Sequence, residues 1–234
     1  RFRLVGMMAK YFLDYPWRNK TRRDRRLTGG QALIGGLLTA ARKAGVEMWR
    51  NAPLKELVQD ASGRVTGVMV EKDGQRLHIN AERGVLLGAG GFERNQEMRD
   101  QYLNQPSKAE WTATPVGANT GDAHRAGQAV GAALDLMDWS WGCPTMDVPK
   151  EPAFRGIFVE RSLPGCMVVN DKGQRFLNES GPYPEFQQAM LAEAAKGNGG
   201  APAWIVFDAN FRAQNPIGPL MPGSAVPDSK VRKS

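Results

Sequence analysis

Between Leu163 and Glu185 the chain reads LPGCMVVNDKGQRFLNESGPYPE, which sets one tyrosine, Tyr183, between Pro182 and Pro184 just after a strand and a turn. Proline locks its own φ and drives the residue before it into extended conformations, so the backbone at Tyr183 has few alternatives. A phenol held in this way has two readings: an aromatic packed on a surface turn, or a group positioned for proton transfer. Just upstream, Arg175, Asn178 and Glu179 in GQRFLNES can relay a proton, or Arg175 and Glu179 can form a salt bridge that braces the strand and turn. Bracing is the simpler reading.

Two glycine-bearing turns offer backbone rather than side-chain chemistry. In GVLLGAGGFERN an apolar run leads directly into residues 88–91, where backbone can approach a bulky ligand with no Cβ in the way and amides can face a phosphate. A tight turn without any ligand uses the same residues. In GANTGDAHRAG a glycine turn opens a helix, whose unpaired N–H groups and dipole favour electron-rich partners. An ordinary capped helix explains that segment equally well. No strand followed by GxGxxG, the dinucleotide fingerprint, occurs. Cys143 and Cys166 stand far apart in no metal-ligand spacing, and His78 and His124 do not cluster with them, so two buried free thiols are expected rather than a zinc site or a disulfide.

The elements that must position these residues follow from periodicity and turn chemistry. Leu33, Ile34, Leu37, Leu38 and Ala41 recur at helical spacing between Thr28, which stands where an N-cap belongs, and Gly45, which can close the helix. VEMWRN, RVTGVMVE and RLHIN are broken by Ala61-Ser62-Gly63 and Lys72-Asp73-Gly74, predicting a strand followed by a hairpin. GVLLGAGG predicts a further strand, ERNQEMRDQYL a helix, and GDAHRAGQAVGAAL a helix capped by Asp122 or Thr120. From Trp139 to Pro164 the chain is rich in Trp, Pro and Phe with weak periodicity, which predicts a crossing into a second domain near residue 140. CMVVN and AWIVFD read as strands, the second a buried one, and residues 186–196 as a helix. Residues 215–234 are Pro- and Gly-rich and then charged, with little sign of a core element.

At 234 residues with 41% apolar side chains the chain can bury a real core, as one large domain or two modest ones. No apolar run of roughly 18 residues offers a membrane span, and Lys10 and Asp14 interrupt the start too early for a signal-peptide core, so a cytoplasmic location is expected. The net charge of +7 sits entirely in residues 1–26, where nine basic side chains face two acidic ones. Tyr11, Phe12, Tyr15 and Trp17 interleave with them, but no nucleic-acid module follows, and a solvated or anion-facing surface is expected instead. Nothing in the sequence fixes an oligomeric state.

Taken in order, TGGQALIGGLLTAARKAGVEMWRNAPLKEL, GRVTGVMVE, GVLLGAGGFERNQEMRDQY, NTGDAHRAGQAVGA, MDWSWGCPTM, LPGCMVVNDKGQRFLNESGPYPE and PAWIVFD resemble the middle of the FAD-dependent 3-ketosteroid dehydrogenases, relatives of the fumarate reductase flavoproteins. The resemblance runs from about Arg26 to Arg212, and MDWSWGCPTM and ESGPYPE point to the ketosteroid branch. It implies an α/β (α+β) chain, with residues 1–140 part of a Rossmann-like FAD-binding domain carrying a β-hairpin insertion and residues 141–234 part of a cap domain over the substrate. It also implies a central fragment, since such proteins open with a GxGxxG strand and end with a further tyrosine and donors to the substrate ketone. Ala123 stands where they often carry glycine.

By that resemblance the cofactor is FAD and the substrate a small 3-oxosteroid-like molecule, with no nucleic acid and no membrane span. Tyr183 matches the family's base. A tyrosine ordinarily titrates near 10, so a base of this kind needs a nearby donor or positive field. The cofactor would lie against Ala52 and Pro53, against Ala89, Gly90 and Gly91, and against Thr120, Gly121 and Asp122. Trp139, Trp141, Met146, Phe154 and Phe158 could line a steroid-sized pocket or a domain core. The alternatives are a fumarate-reductase-like flavoprotein acting on a small carboxylate and a non-catalytic interaction module.

Overall fold

A computed structural model describes residues 2–21, 25–103, 107–148, 150–218 and 220–223. It separates two compact units, Arg1–Ala52 and Pro53–Ser234. The described residues of the first form the helices α1 (Phe2–Leu13), α2 (Tyr15–Thr21) and α3 (Gly29–Lys43). The interleaved cations and rings of the basic segment stack on one another, Arg18 over Tyr11 and Arg25 over Trp17, while Arg25 also reaches Asp14 at 3.7 Å. Arg22, Arg23 and Asp24 of that segment lie outside the described residues. Helix α3 forms where its apolar periodicity predicts it. Gly45, at φ +74°, ends it by donating to Arg42 while Val46 donates to Ala41, a pairing that satisfies two terminal carbonyls and requires a left-handed residue. Thr28 takes the cap position, but its side chain makes no cap hydrogen bond.

In the second unit, β1 (Leu54–Gln59), β2 (Val65–Lys72) and β3 (Gln75–Asn80) form an antiparallel sheet in that order. Asp73 and Gly74, at φ +52° and +78°, make the two-residue turn that the right-handed strand twist favours, which fixes Lys72 opposite Gln75. Two expected strands are absent. Val46–Asn51 and Gly84–Gly91 carry the right composition, yet neither finds a ladder partner among the described residues, and Leu86 stands 96% exposed. The first strand of the sheet is instead LKELVQ, whose two register shifts against β2 and polar face hide its period.

Helix α4 (Gln96–Tyr102) is capped by Asn95, whose side-chain Oδ1 accepts from the Met98 N–H at 3.0 Å. Helix α5 (Asp122–Ala129) is capped by Gly121, without the side-chain bond expected of Asp122 or Thr120. The two short strands β4 (Thr145–Met146) and β5 (Arg155–Gly156) pair, as do β6 (Cys166–Val169) and β7 (Trp204–Phe207). Between these last two run α6 (Tyr183–Ala195) and its flanking loops, and α7 (Ala209–Gln214) follows. Strand β7 is only half covered, with Trp204 and Val206 exposed, so it is not the buried strand its apolar run suggests.

The core of this region joins Phe211, Ile217 and Leu220, with Met146, Leu163, Cys166, Ile205 and Phe207 packed against them. Ile217 and Leu220 correct the reading of the carboxyl end as coreless: one hydrogen-bonded turn folds both side chains inward. Residues 224–234 lie outside the described residues. No described helix is long and apolar enough to cross a membrane, and no described group of three or more His, Cys, Asp or Glu could hold a metal ion.

Candidate active site

Tyr183 is the first residue of α6, one turn earlier than the sequence period suggests, because Pro182 and Pro184 suit the helix start. Pro182 caps the helix with an extended backbone and Pro184 needs no N–H in the first turn, while the Phe186 N–H donates to the Pro182 carbonyl at 3.0 Å. Phe186 anchors this turn in the interior. One turn on, Gln187 exchanges hydrogen bonds with the Ser140 hydroxyl, at 2.7 and 3.1 Å. That contact brings Gly142 so close that a Cβ there would stand 2.1 Å from the Gln187 amide. The close approach carries Trp141 to the Tyr183 ring.

The tyrosine ring is half-buried between two aromatic neighbours, Trp141 at 6.4 Å and Phe158 edge-on at 6.2 Å between centroids. Trp141 itself is 81% exposed and Phe158 about half exposed, so the ring opens toward an apolar rim. No described residue hydrogen-bonds to the Tyr183 hydroxyl. Of the other residues expected to line a pocket, Met146 belongs to the core beneath, Trp139 is exposed and Phe154 is half-buried.

A third neighbour escaped the sequence reading. Arg161, in the one-turn helix Glu160–Ser162, is 5% exposed, and its Cζ lies 5.3 Å from the Tyr183 ring centroid and 4.7 Å from that of Phe186. One of its terminal nitrogens donates to the Glu179 carbonyl and the other to the Gly181 carbonyl at 2.9 Å.

Glu179 and Arg175 form the bracing pair rather than an open relay. The buried Glu179 carboxylate accepts from Arg175 at 2.6 Å and from the Val168 N–H of β6 at 2.8 Å. Burial pushes this carboxyl up, but the Arg175 and Val168 hydrogen bonds outweigh it and hold it below the ordinary carboxylate value. Behind α6, the buried Asn170 and Glu193 join at 2.9 Å, and Asn198 and Lys196 also donate to that carboxylate. These bonds hold the Glu193 carboxyl down at about 2 and tie the helix to the turn after β6. Cys143 and Cys166 are free thiols but only partly buried, and burial raises both.

Five residues expected at the cofactor do meet. The Gly121 N–H donates to the Gly91 carbonyl at 3.1 Å, Asn95 reaches the Thr120 carbonyl at 2.9 Å, and Asn119 lies so close to Gly90, at φ +82°, that a Cβ there would stand 2.4 Å from the Asn119 side-chain oxygen. Asn119 and Thr114 both donate to Glu93, at 2.6 and 2.7 Å. Burial pushes the Glu93 carboxyl up, and these two bonds bring it net below its ordinary value. Thr120 donates to Asp122, which pairs with Arg125. Ala89 adjoins this pair of turns. Pro53 stands apart at the head of β1, its carbonyl accepting from Glu71, and Ala52 closes the first unit.

The N–H groups of residues 88–91 meet no acceptor among the described residues, and Gly88, Ala89 and Gly90 are exposed. Outward backbone donors on small residues are the set that the oxygens of a dinucleotide can use, so this turn fits FAD.

A family model described as FAD binding domain matches residues 9–216. A 3-oxosteroid 1-dehydrogenase of Comamonas testosteroni is 64% identical, over 100% of this chain and 40% of its own length. The enzyme of the same name from Mycobacterium tuberculosis strain H37Rv is 40% identical, over 85% of this chain and 36% of its own. The crystal structure of 3-ketosteroid delta1-dehydrogenase from Sterolibacterium denitrificans in complex with 1,4-androstadiene-3,17-dione superposes with a TM-score of 0.85 at 50% identity, covering 92% of this chain and 39% of that one. The chain thus spans about two fifths of the length of these relatives.

Proposed function

The chain belongs to the FAD binding domain family, and from that premise we propose that it carries the proton-accepting half of a flavin-dependent dehydrogenase acting on 3-oxosteroid-like substrates. The observation that carries the reading is the setting of Tyr183: a helix-start phenol whose hydroxyl meets no partner among the described residues, walled by Trp141 and Phe158. Bound FAD supplies the hydride acceptor. Tyr183 takes the proton from the ring carbon next to the one that gives up hydride. A C–H beside a ketone becomes acidic once donors stabilise the developing enolate oxygen, so a base of modest strength suffices when it is fixed in place. Trp141 and Phe158 offer flat apolar faces to a fused-ring hydrocarbon.

Residues 88–91, Thr120, Gly121 and Asp122, together with Pro53, hold the cofactor mainly through backbone. The division near residue 140 is part of the same reading: cofactor face before it, substrate face after it. So is a cytoplasmic location.

The test is optical. In the flavin-loaded holoenzyme that carries this sequence, a saturated 3-ketosteroid bleaches the flavin band under anaerobic conditions. Oxidation of reduced flavin by fumarate with no response to the steroid would favour the small-carboxylate reading instead, and a protein that FAD cannot reconstitute would overturn both.

A further inference from the structure

Arg161 is buried, and no carboxylate pairs with it among the described residues. Glu160, its neighbour in sequence, turns its carboxylate to the Phe158 N–H at 3.0 Å, and Glu179 presents its backbone carbonyl to Arg161 while its carboxylate is committed to Arg175 and Val168. A buried guanidinium without a counter-ion is costly, so the fold retains it against a penalty. What compensates it is specific: the Glu179 and Gly181 carbonyls and the ring faces of Tyr183 and Phe186. These groups come from one short stretch, the turn that feeds Pro182 and the first turn of α6.

We propose that Arg161 is the positioning residue of Tyr183, its guanidinium fork fixing the 179–181 turn and its charged face fixing the tyrosine ring. The inference rests on the reading of Tyr183 as the base. Gly181 precedes the capping Pro182, so the direction in which the chain enters α6 is set where the fork binds. Two hydrogen bonds fix the backbone entry and the stacked cation fixes the side chain, which a packed apolar residue in the same space cannot do at once. Lysine retains the charge but not the planar fork.

The experiment is a double-mutant cycle in the flavin-loaded holoenzyme, reading flavin content, KM and kcat with a saturated 3-ketosteroid. Arg161→Met keeps the volume and removes the buried charge. It is expected to retain flavin and KM within about twofold while kcat falls about 100-fold, the scale of a misplaced catalytic group. Arg161→Lys is expected to lose about tenfold, intermediate because charge without the fork restores part of the alignment, and it supplies the measurement if Arg161→Met does not fold. In a Tyr183→Phe background the same Arg161 substitutions are expected to cost no further kcat. Unchanged kcat in Arg161→Met, or an equal loss in both backgrounds, overturns the positioning role while leaving the base intact. Full turnover by Tyr183→Phe alone overturns the base, and the positioning role with it.

Discussion

Gly121 holds the two glycine turns together, and replacing it by alanine tests that junction quantitatively. Its φ of +83° is left-handed, which costs a residue with a Cβ about 1 kcal/mol. The added carbon would also stand 2.2 Å from the sulfur of the buried Met98 and 3.1 Å from Phe92 Cβ, an overlap that packed interiors relieve at about 1–3 kcal/mol. The total is about 2–4 kcal/mol. Gly117 is the control: its φ is +82°, but nothing lies within 4 Å of the added carbon, so Gly117→Ala shows the backbone cost alone. Urea unfolding of both variants is expected to separate them by about 1–3 kcal/mol. Because the Gly121 N–H bridges to Gly91, FAD content is expected to fall in Gly121→Ala and to hold in Gly117→Ala. Equal losses of stability in the two variants would refute the packing argument at Met98.

Three further outcomes are expected. The Glu193 carboxyl sits at about 2 in the folded chain against an ordinary 4.5, so it stabilises the fold above that ordinary value and the contribution is lost as pH falls toward 2; Glu193→Gln is expected to flatten this part of the stability–pH curve. Glu179→Ala leaves the Val168 N–H without its acceptor and is expected to cost about 1–3 kcal/mol in urea unfolding, whereas the mostly exposed Arg175→Ala costs less. Asp208 accepts the Phe211 N–H at 2.7 Å, so Asp208→Ala is expected to lower stability by about 1 kcal/mol, while Thr28→Ala, with no cap bond to lose, changes it by under about 0.5 kcal/mol.

What was legible in the sequence was whatever local chemistry decides. Helix α3, the Asp73-Gly74 hairpin and the strands β6 and β7 rest on period and turn residues within a few positions of each other. GVLLGAGG and VEMWRN were misread because a strand needs a neighbour, and composition reports only the willingness to pair. Strand β1 was missed for the opposite reason: two register shifts break its alternation, but β2 supplies the ladder. Ile217 and Leu220 were hidden among prolines and glycines because one turn, not a periodic element, buries them. Tyr183 stood out through its flanking prolines. Arg161 did not, since its partners are carbonyls 18 and 20 residues away and two ring faces, none of which leaves a spacing pattern. Arg161 is one of two arginines in the Pro- and Phe-containing stretch before LPG, and nothing in the sequence sets it apart from Arg155.

The central claim is that Tyr183 removes the proton. Anaerobic stopped-flow mixing of the flavin-loaded holoenzyme with a saturated 3-ketosteroid, followed in the flavin band, measures the half-reaction in which that proton removal accompanies hydride transfer, without product release. Tyr183→Phe is expected to retain its flavin and to slow the bleaching by about 100- to 10,000-fold. Bleaching at the wild-type rate in that variant would contradict the claim.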